Sequence, residues 1–562
     1  MIDINASDAR RWQPYSYAFG ALVLLACLTL TFFNTLGLGF SSYKAPALLG
    51  WFCASVATAC LVLFTKKEKT NWAALLFLVL FLFIVVRQGP QPIHSTALGL
   101  IVLTMACAAH SASLFARVSS WAFVLAGAVV LVALLNALVA LYQYFGFSAQ
   151  FPIPYIETTP IGSAIGQVRQ RNQMATLCVL GLVTLAYFPV KFRWASIARF
   201  GVGVCLIAAV AASASRIGAA AILLFSCTLI FTFRSLPRSS QQLVGLSFPI
   251  FLVLAYLLPA LIEDQSGLVS RLTDDAFAVP CNSRLLLWKN TISLIWQSPF
   301  AGAGWGGFIG KYYTSDLPVR GCELLDHAHN VYLNIAVEAG VIVAALLIIA
   351  SIWFFFGYWR TVAADSIYRW AYFSVAIIWL YAQTDFPLWV TGFLWLFAIF
   401  LGLITTRESK LVHHPAYVTL SRLLVTVNPW FIVVMALATA CLSAIALIQY
   451  FRVSHIATPT EWDTQIAKRG YQELVKENWM FADHLEFVAA QMQEPTKANA
   501  EKINKLCTSV IPYSPEPPII MCVIKSAYLM GDMKQVEFHK QRLVTTYGSQ
   551  VDMYKEELDS FK

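Results

Sequence analysis

Asp326, His327, His329 and Asn330 crowd into one short passage, Leu325-Asp326-His327-Ala328-His329-Asn330, at the head of a long apolar run. An imidazole titrates near ~6.5, so it can take a proton from a hydroxyl at neutral pH. The run that follows, Val331 to Gly340, carries Glu338 into an apolar setting, where a carboxylate is expensive and usually has a reason. Four arginines also flank apolar runs. Arg169 and Arg171 lie in Gly166–Gln173, Arg216 follows Ser213-Ala214-Ser215, and Arg284 opens Arg284-Leu285-Leu286-Leu287-Trp288. A guanidinium offers parallel donors that match phosphate, so these arginines point to an anionic partner. A metal site is not expected. His327 and His329 would share one ion only from an extended segment, and no further ligand set lies nearby in sequence. The glycine-rich stretch Ser298–Phe308 lacks the lysine of a nucleotide loop and reads as a tight-turning re-entrant or lid segment.

These residues must be held by a membrane-embedded scaffold. The chain of 562 residues is 58% hydrophobic and 12% charged, against about 45–50% and about 25% for soluble domains. About thirteen apolar runs (eleven to fourteen) approach the roughly 20 residues of a spanning helix, from Tyr17–Phe33 to Trp430–Phe451. The run Val331–Trp359 reads as one long helix. The fold class is therefore an all-α polytopic membrane protein. The first run follows Arg10-Arg11 and reads as an uncleaved helix. A cytoplasmic N-terminus places the basic loops Lys66-Lys67-Lys69, Lys191/Arg193/Arg199, Arg234/Arg238, Arg360/Arg369 and Arg407/Lys410/Arg422 inside. The loops 146–173 and 263–330 and the tail 452–562 then lie outside, on one side with His329 and the four arginines. Net charge +9 is explained by the cytoplasmic loops and needs no nucleic-acid partner.

The expected organisation is a first helical block, 1–262, interrupted by the outer loop 146–173. The large loop 263–330, a second helical block 331–451 and a soluble helical tail 452–562 follow. In the tail, Trp462–Gln493 reads as a helix, Ala500–Val510 as another, and Ile519–Met530 with Met533–Tyr547 as a tetratricopeptide-like hairpin. It is either a small cap on the membrane domain or a surface for a protein partner. Of the twelve cysteines, eight sit in apolar runs. Cys281 and Cys322 in the large loop, and Cys507 and Cys522 in the tail, are expected to pair as disulfides in an oxidising compartment.

Four passages together resemble the bacterial O-antigen ligase (Wzy-C) superfamily. They are Arg171-Asn172-Gln173, Ser215-Arg216-Ile217-Gly218, Arg284–Trp288 with Pro299–Trp305, and His327–Asn330 with Glu338-Ala339-Gly340. The resemblance implies periplasmic glycosyl transfer from an oligosaccharide on undecaprenyl diphosphate, at the inner membrane, without metal or other cofactor. It implies His329 as the essential base and Arg171, Arg216 and Arg284 as diphosphate ligands. His327, Asp326, Asn330, Glu338, Arg169, Gln173 and Asp385 are supporting residues. Asp326 or Glu338 is expected to orient an imidazole. Gly166–Gln173, Asp385–Trp389 and the long tail are similar to the protein O-oligosaccharyltransferases, which modify pilins and other exported proteins. Asp385 stands where that branch often has glutamate, and its shorter reach counts against a direct role. The alternatives are a ligase acting on lipid A core, a polysaccharide polymerase, or a proton-coupled transporter. A transporter often shows repeated halves, which this sequence lacks.

Overall fold

A backbone surrounded by lipid must satisfy its own N–H and C=O groups, so apolar runs in a bilayer become helices. The computed structural model describes residues 6–33, 44–65, 68–188, 193–262, 284–317, 325–362, 365–406 and 426–561. Its membrane part comprises α1 (Ala6–Phe32), α2 (Lys44–Leu63), α3 (Trp72–Val86), α4 (Pro92–Ser111), α5 (Ser119–Tyr144), α6 (Arg171–Tyr187), α7 (Arg193–Ala212), α8 (Arg216–Thr232) and α9 (Arg238–Leu261). After the large loop, which contributes α10 (Arg284–Gln297) and α11 (Phe308–Thr314), come α12 (Val331–Ala339), α13 (Val341–Val362), α14 (Ser366–Tyr381), α15 (Thr391–Thr405) and α16 (Pro429–Ile456). Among the described residues seven helices are long and apolar enough to cross a membrane: α2, α4, α5, α8, α9, α13 and α16. Shorter apolar helices include α1, α3, α7 and α15. The chain is an all-α polytopic membrane protein. Its one sheet among the described residues is a two-residue antiparallel pairing of Glu68–Lys69 with Thr426–Val427.

Val331–Trp359 is not one helix. It breaks at Gly340, whose φ of +93° no L side chain adopts comfortably. The nine-residue α12 thus stands apart from the spanning α13.

Lipid tails are as apolar as leucine, so polar links between helices help to fix the packing. Buried indoles do this repeatedly here. Trp51 donates to Thr104 at 3.2 Å, Trp370 to Thr184 at 2.8 Å and Trp395 to Thr58 at 3.0 Å. One end of the bundle holds basic side chains: Arg199 donates to Ser240 and Phe188 O, and Arg369 to Ser235. At the opposite end α6 and α8 begin and α14 ends, and there the histidine loop is found.

At 28 residues α16 is about 42 Å long, more than the roughly 30 Å hydrocarbon core needs. Its last turns seed the tail, where Val453 and Ile456 pack with Trp462, Leu474, Leu485 and Val488. The tail contains α17 (Pro459–Arg469), α18 (Tyr471–Glu477), α19 (Ala482–Met492), α20 (Ala500–Val510), α21 (Pro517–Met530), α22 (Met533–Tyr547) and α23 (Lys555–Ser560). The expected helix Trp462–Gln493 is broken at Gly470, where φ is +80°, and again near Asn478. The hairpin of α21 and α22 turns at Gly531 in the left-handed region, and Asp532 caps α22 through Gln535 N. Cys507 and Cys522 are joined, linking α20 to α21. Cys281 and Cys322 lie outside the described residues. The tail docks on the large loop: Tyr313 of α11 hydrogen-bonds His539 at 2.9 Å, and Arg542 pairs with Asp316.

Candidate active site

Three helices start at the same place, and each starts in the same way. Gln170 caps α6 by accepting from Gln173 N at 2.6 Å, Ser215 caps α8 by accepting from Gly218 N at 3.0 Å, and Asn330 caps α12 by accepting from Tyr332 N and Leu333 N. The residue before each cap has positive φ without being glycine: Arg169 at 58°, Ala214 at 48° and His329 at 49°. Each such corner costs about 1–2 kcal/mol and persists only where its surroundings enforce it. Buried amides do the enforcing at the first corner. Asn136, inside α5, accepts from Gln167 N at 3.0 Å and Val168 N at 3.1 Å, and Gln143 accepts from Gly166 N at 2.9 Å. At the third, Ala328 N donates to Asn334 at 2.9 Å and Trp288 of α10 donates to Ala328 O at 3.0 Å.

The third corner aims His329 at Asp385. Its Nδ1 lies 3.0 Å from Asp385 Oδ1; the carboxylate is buried and the imidazole only part-buried. Asp385 Oδ2 accepts from Asn172 at 2.9 Å and from Gln170 at 3.3 Å, while Oδ1 also accepts from Phe386 N at 3.1 Å. Burial raises the Asp385 pKa, but the hydrogen bonds from His329 and Asn172, with the His329 and Arg284 charges, outweigh burial and leave it lowered. An ionised carboxylate only accepts hydrogen bonds. His329 Nδ1 therefore donates to it, and Nε2 is the ring nitrogen not engaged in that bond. The network continues: Ser215 Oγ donates to Asn172 Oδ1 at 2.8 Å. The capping residue of α8 is thus connected through Asn172 and Asp385 to His329. Backbone ties hold the two sides together, with Val331 N bonded to Ala382 O and Asn330 Nδ2 to Gln383 O.

Arg171, Arg216 and Arg284 are each the first residue of a helix, α6, α8 and α10. A helix N-terminus already carries about half a positive charge, and a cation there is unfavourable by roughly 0.3–1 kcal/mol. Stacking arginines on such ends builds positive potential, which suits an anion. Burial pulls the Arg284 pKa down; Asp385 opposes that, and the neighbouring Arg216 charge adds to it. Arg284 therefore lies within electrostatic reach of both Arg216 and Asp385.

His327 is set differently. Its Nδ1 is 2.6 Å from Asp326, its ring stacks on Phe386 at 5.0 Å, and it meets Trp389 edge-on. Burial pulls its pKa down, but the Asp326 bond and charge, with Glu338 and Asp385 behind, leave it raised. Glu338 accepts from Gly306 N at 3.2 Å, and burial pushes its carboxyl up to about 7. The glycine-rich stretch is clamped here. Ala303 N and Gly304 N bond to Val337 O and Glu338 O, and Val341 N to Pro299 O. A Cβ on Gly302 would meet Glu338 O at 2.4 Å, and one on Gly340 would meet Phe300 O at 2.3 Å. This stretch buttresses the break between α12 and α13.

Asp326 orients an imidazole as expected, that of His327, while Glu338 holds Gly306 N. The carboxylate at His329 is a third one. It is Asp385, and its short side chain suffices because His329 is brought to it. Arg169 is engaged elsewhere, 3.4 Å from Glu157, and the amides at Asp385 come from Gln170 and Asn172, with Gln173 supplying only a capped N–H. Sequence reasoning missed Asn172, Gln170, Ser215 and Asn136. The one signal for Asn136 was an amide deep in an otherwise apolar span.

Two family models and two curated relatives match parts of the chain. Residues 201–348 match the model described as O-Antigen ligase, and residues 369–556 the one described as Virulence factor membrane-bound polymerase, C-terminal. The ComP-specific O-oligosaccharyltransferase of Acinetobacter baylyi is 21% identical over 299 residues, covering 52% of this chain and 51% of that protein. The General O-oligosaccharyltransferase of the same species is 25% identical over 321 residues, covering 55% and 54%. The chain's match spans about half the length of these curated relatives. With both models in order along it and a histidine loop and helix-end arginines at one site, the chain is similar to the O-antigen ligase superfamily and to its O-oligosaccharyltransferases.

Proposed function

We propose that this protein transfers an oligosaccharide from undecaprenyl diphosphate to serine or threonine hydroxyls of exported proteins, pilins among them. The site faces the periplasm at the inner membrane. One observation carries the reading: a histidine whose Nδ1 is held by a buried carboxylate stands among arginines placed on helix N-termini. The acceptor oxygen attacks the anomeric carbon as the bond to the diphosphate breaks. His329 Nε2 takes the hydroxyl proton, and Asp385 stabilises the imidazolium that forms. Arg216 and Arg284, with Arg171, hold the diphosphate and offset the charge that builds on it. Displacement in one step inverts the anomeric centre, and undecaprenyl diphosphate leaves. No step needs a metal or cofactor.

The printed names of the two relatives support a protein acceptor. The match to the O-Antigen ligase model keeps transfer to lipid A core as the second reading. Mass spectrometry of exported proteins and lipopolysaccharide, from cells with and without this chain, separates them. Glycan lost from a protein supports the first reading. Glycan lost only from lipopolysaccharide overturns it in favour of the second.

A further inference from the structure

The outer loop between α5 and α6 has two unlike halves. The returning half, Gln167 to Gln170, leads into the site at Arg171 and Asn172 of α6. The outgoing half is apolar and exposed: Phe147, Phe151, Ile153 and Tyr155 are 44%, 67%, 48% and 73% exposed. No Asp, Glu, Lys, Arg or His occurs in residues 118–156.

This surface is continuous with a face of α5. Phe123, Leu131 and Leu138 are the exposed large side chains of that span, and their spacing puts them on one side of the helix. Tyr142 and Phe145 extend the stripe to the end of the helix. The Phe147 ring lies 6.2 Å from Tyr142 and 6.4 Å from Phe145. The outgoing half is also held rigidly with its apolar side chains outward. Tyr142 OH donates to Phe151 O, Thr158 Oγ1 to Ser148 O and Gln143 Nε2 to Glu157 O. Charge returns only at Glu157, which pairs with Arg169.

We infer that residues 147–156 are a bilayer seat. They lie in the interface of the outer leaflet, with Phe147, Phe151, Ile153 and Tyr155 among the headgroups and upper acyl chains. Aromatic and aliphatic side chains on an uncharged segment at the end of a span match that environment. Glu157 and Arg169 mark the water side. Because Gln143 grips both halves, through Glu157 O and Gly166 N, the membrane sets the depth of Gln170, Arg171 and Asn172. The site is thereby fixed at the bilayer surface, where the diphosphate of a lipid-linked donor would lie; this last step rests on the proposed function.

The test is depth measurement in lipid nanodiscs, without donor or acceptor. Spin labels on Phe151→Cys and Tyr155→Cys are compared with one on Met553→Cys, an 81% exposed site in the tail. The native chain treated in the same way supplies the background. The seat predicts a several-fold higher ratio of oxygen to nickel-chelate collisions at the two loop positions. Ratios equal to that at Met553 would overturn it, as would a water-exposed loop that becomes shielded only when an acceptor protein is added. The unsubstituted chain gives an independent reading with a phospholipid carrying a photoreactive acyl chain. Crosslinks in 147–156 support the seat; crosslinks on Leu131 and Leu138 but none in 147–156 would overturn it. Neither measurement depends on transfer, so a failed reaction assay leaves this inference standing.

Discussion

Replacing Asp385 by Asn keeps the shape of the side chain and removes its charge. The new amide has two orientations, and both are poor. With its oxygen toward His329, its NH2 faces the Asn172 and Gln170 amides, which are donors at 2.9 and 3.3 Å in the native network. Turned round, its NH2 faces His329 Nδ1 and drives the ring proton onto Nε2, the atom that must accept. Each hydrogen bond to a charged group is worth about 1.5–3 kcal/mol, or about 10–100-fold in rate where it acts only in the transition state. General base catalysis as a whole supplies about 10²–10⁴-fold. Asp385→Asn should therefore lower kcat for transfer about 10²–10³-fold while the donor KM changes little. The assay is transfer of a lipid-linked glycan to acceptor by protein in nanodiscs, over a range of donor concentrations. Stability gives a second readout. The folded Asp385 pKa is lowered, so its contribution is present above the unfolded value, near ~3.9, and is lost as pH falls through the folded one. The Tm gap between native and variant should be open at neutral pH and close in strong acid. A variant that keeps half the native kcat, or that loses donor affinity instead, would refute the orienting role.

Asn172→Ala removes one donor to Asp385 and the acceptor of Ser215, so kcat should fall about 10–100-fold by the same hydrogen-bond magnitude; steady-state kinetics checks this, and native kcat would show that the link to α8 is idle. Arg216→Gln and Arg284→Gln should each raise the donor KM about 10-fold or more, the worth of a charge-assisted contact to phosphate, measured by donor titration. Gly302→Ala places a Cβ 2.4 Å from Glu338 O at φ +65°, so strain of about 1–2 kcal/mol adds to about 1–3 kcal/mol of overpacking, to be read as a lowered Tm. His539, buried against Tyr313 and beside Arg542, has its pKa pulled down to about 4. Between that value and the unfolded one the unfolded tail binds more protons, so stability falls as pH drops through this window, by at most about 3 kcal/mol. Thermal melts of the full chain and of His539→Gln should converge as the pH drops from neutral toward 4.

The helices were legible because lipid leaves an apolar run little choice but to close its own hydrogen bonds. The histidine pair could be divided from its neighbours, since only His329 stands directly before the capping Asn330. What stayed hidden was pairing at a distance. Asp385 meets a histidine 56 positions away, and no local pattern marks that contact. A shorter side chain argued against it only while the backbone's own approach was unknown. The left-handed corners at Arg169, Ala214 and His329 were equally invisible, since none is a glycine. The break at Gly340 was masked by unbroken apolarity on either side. A glycine in an apolar run is compatible with a helix until a carbonyl such as Phe300 O is found against it.

The central claim is that His329 is the base for transfer and the arginines hold the donor. It is tested most directly by comparing native protein with His329→Gln in nanodiscs, in chelator, measuring donor binding and glycan transfer on the same preparation. The account predicts native donor affinity within about threefold and transfer lowered at least about 10²-fold. Transfer by His329→Gln at the native rate, or native activity abolished by chelator alone, would contradict it.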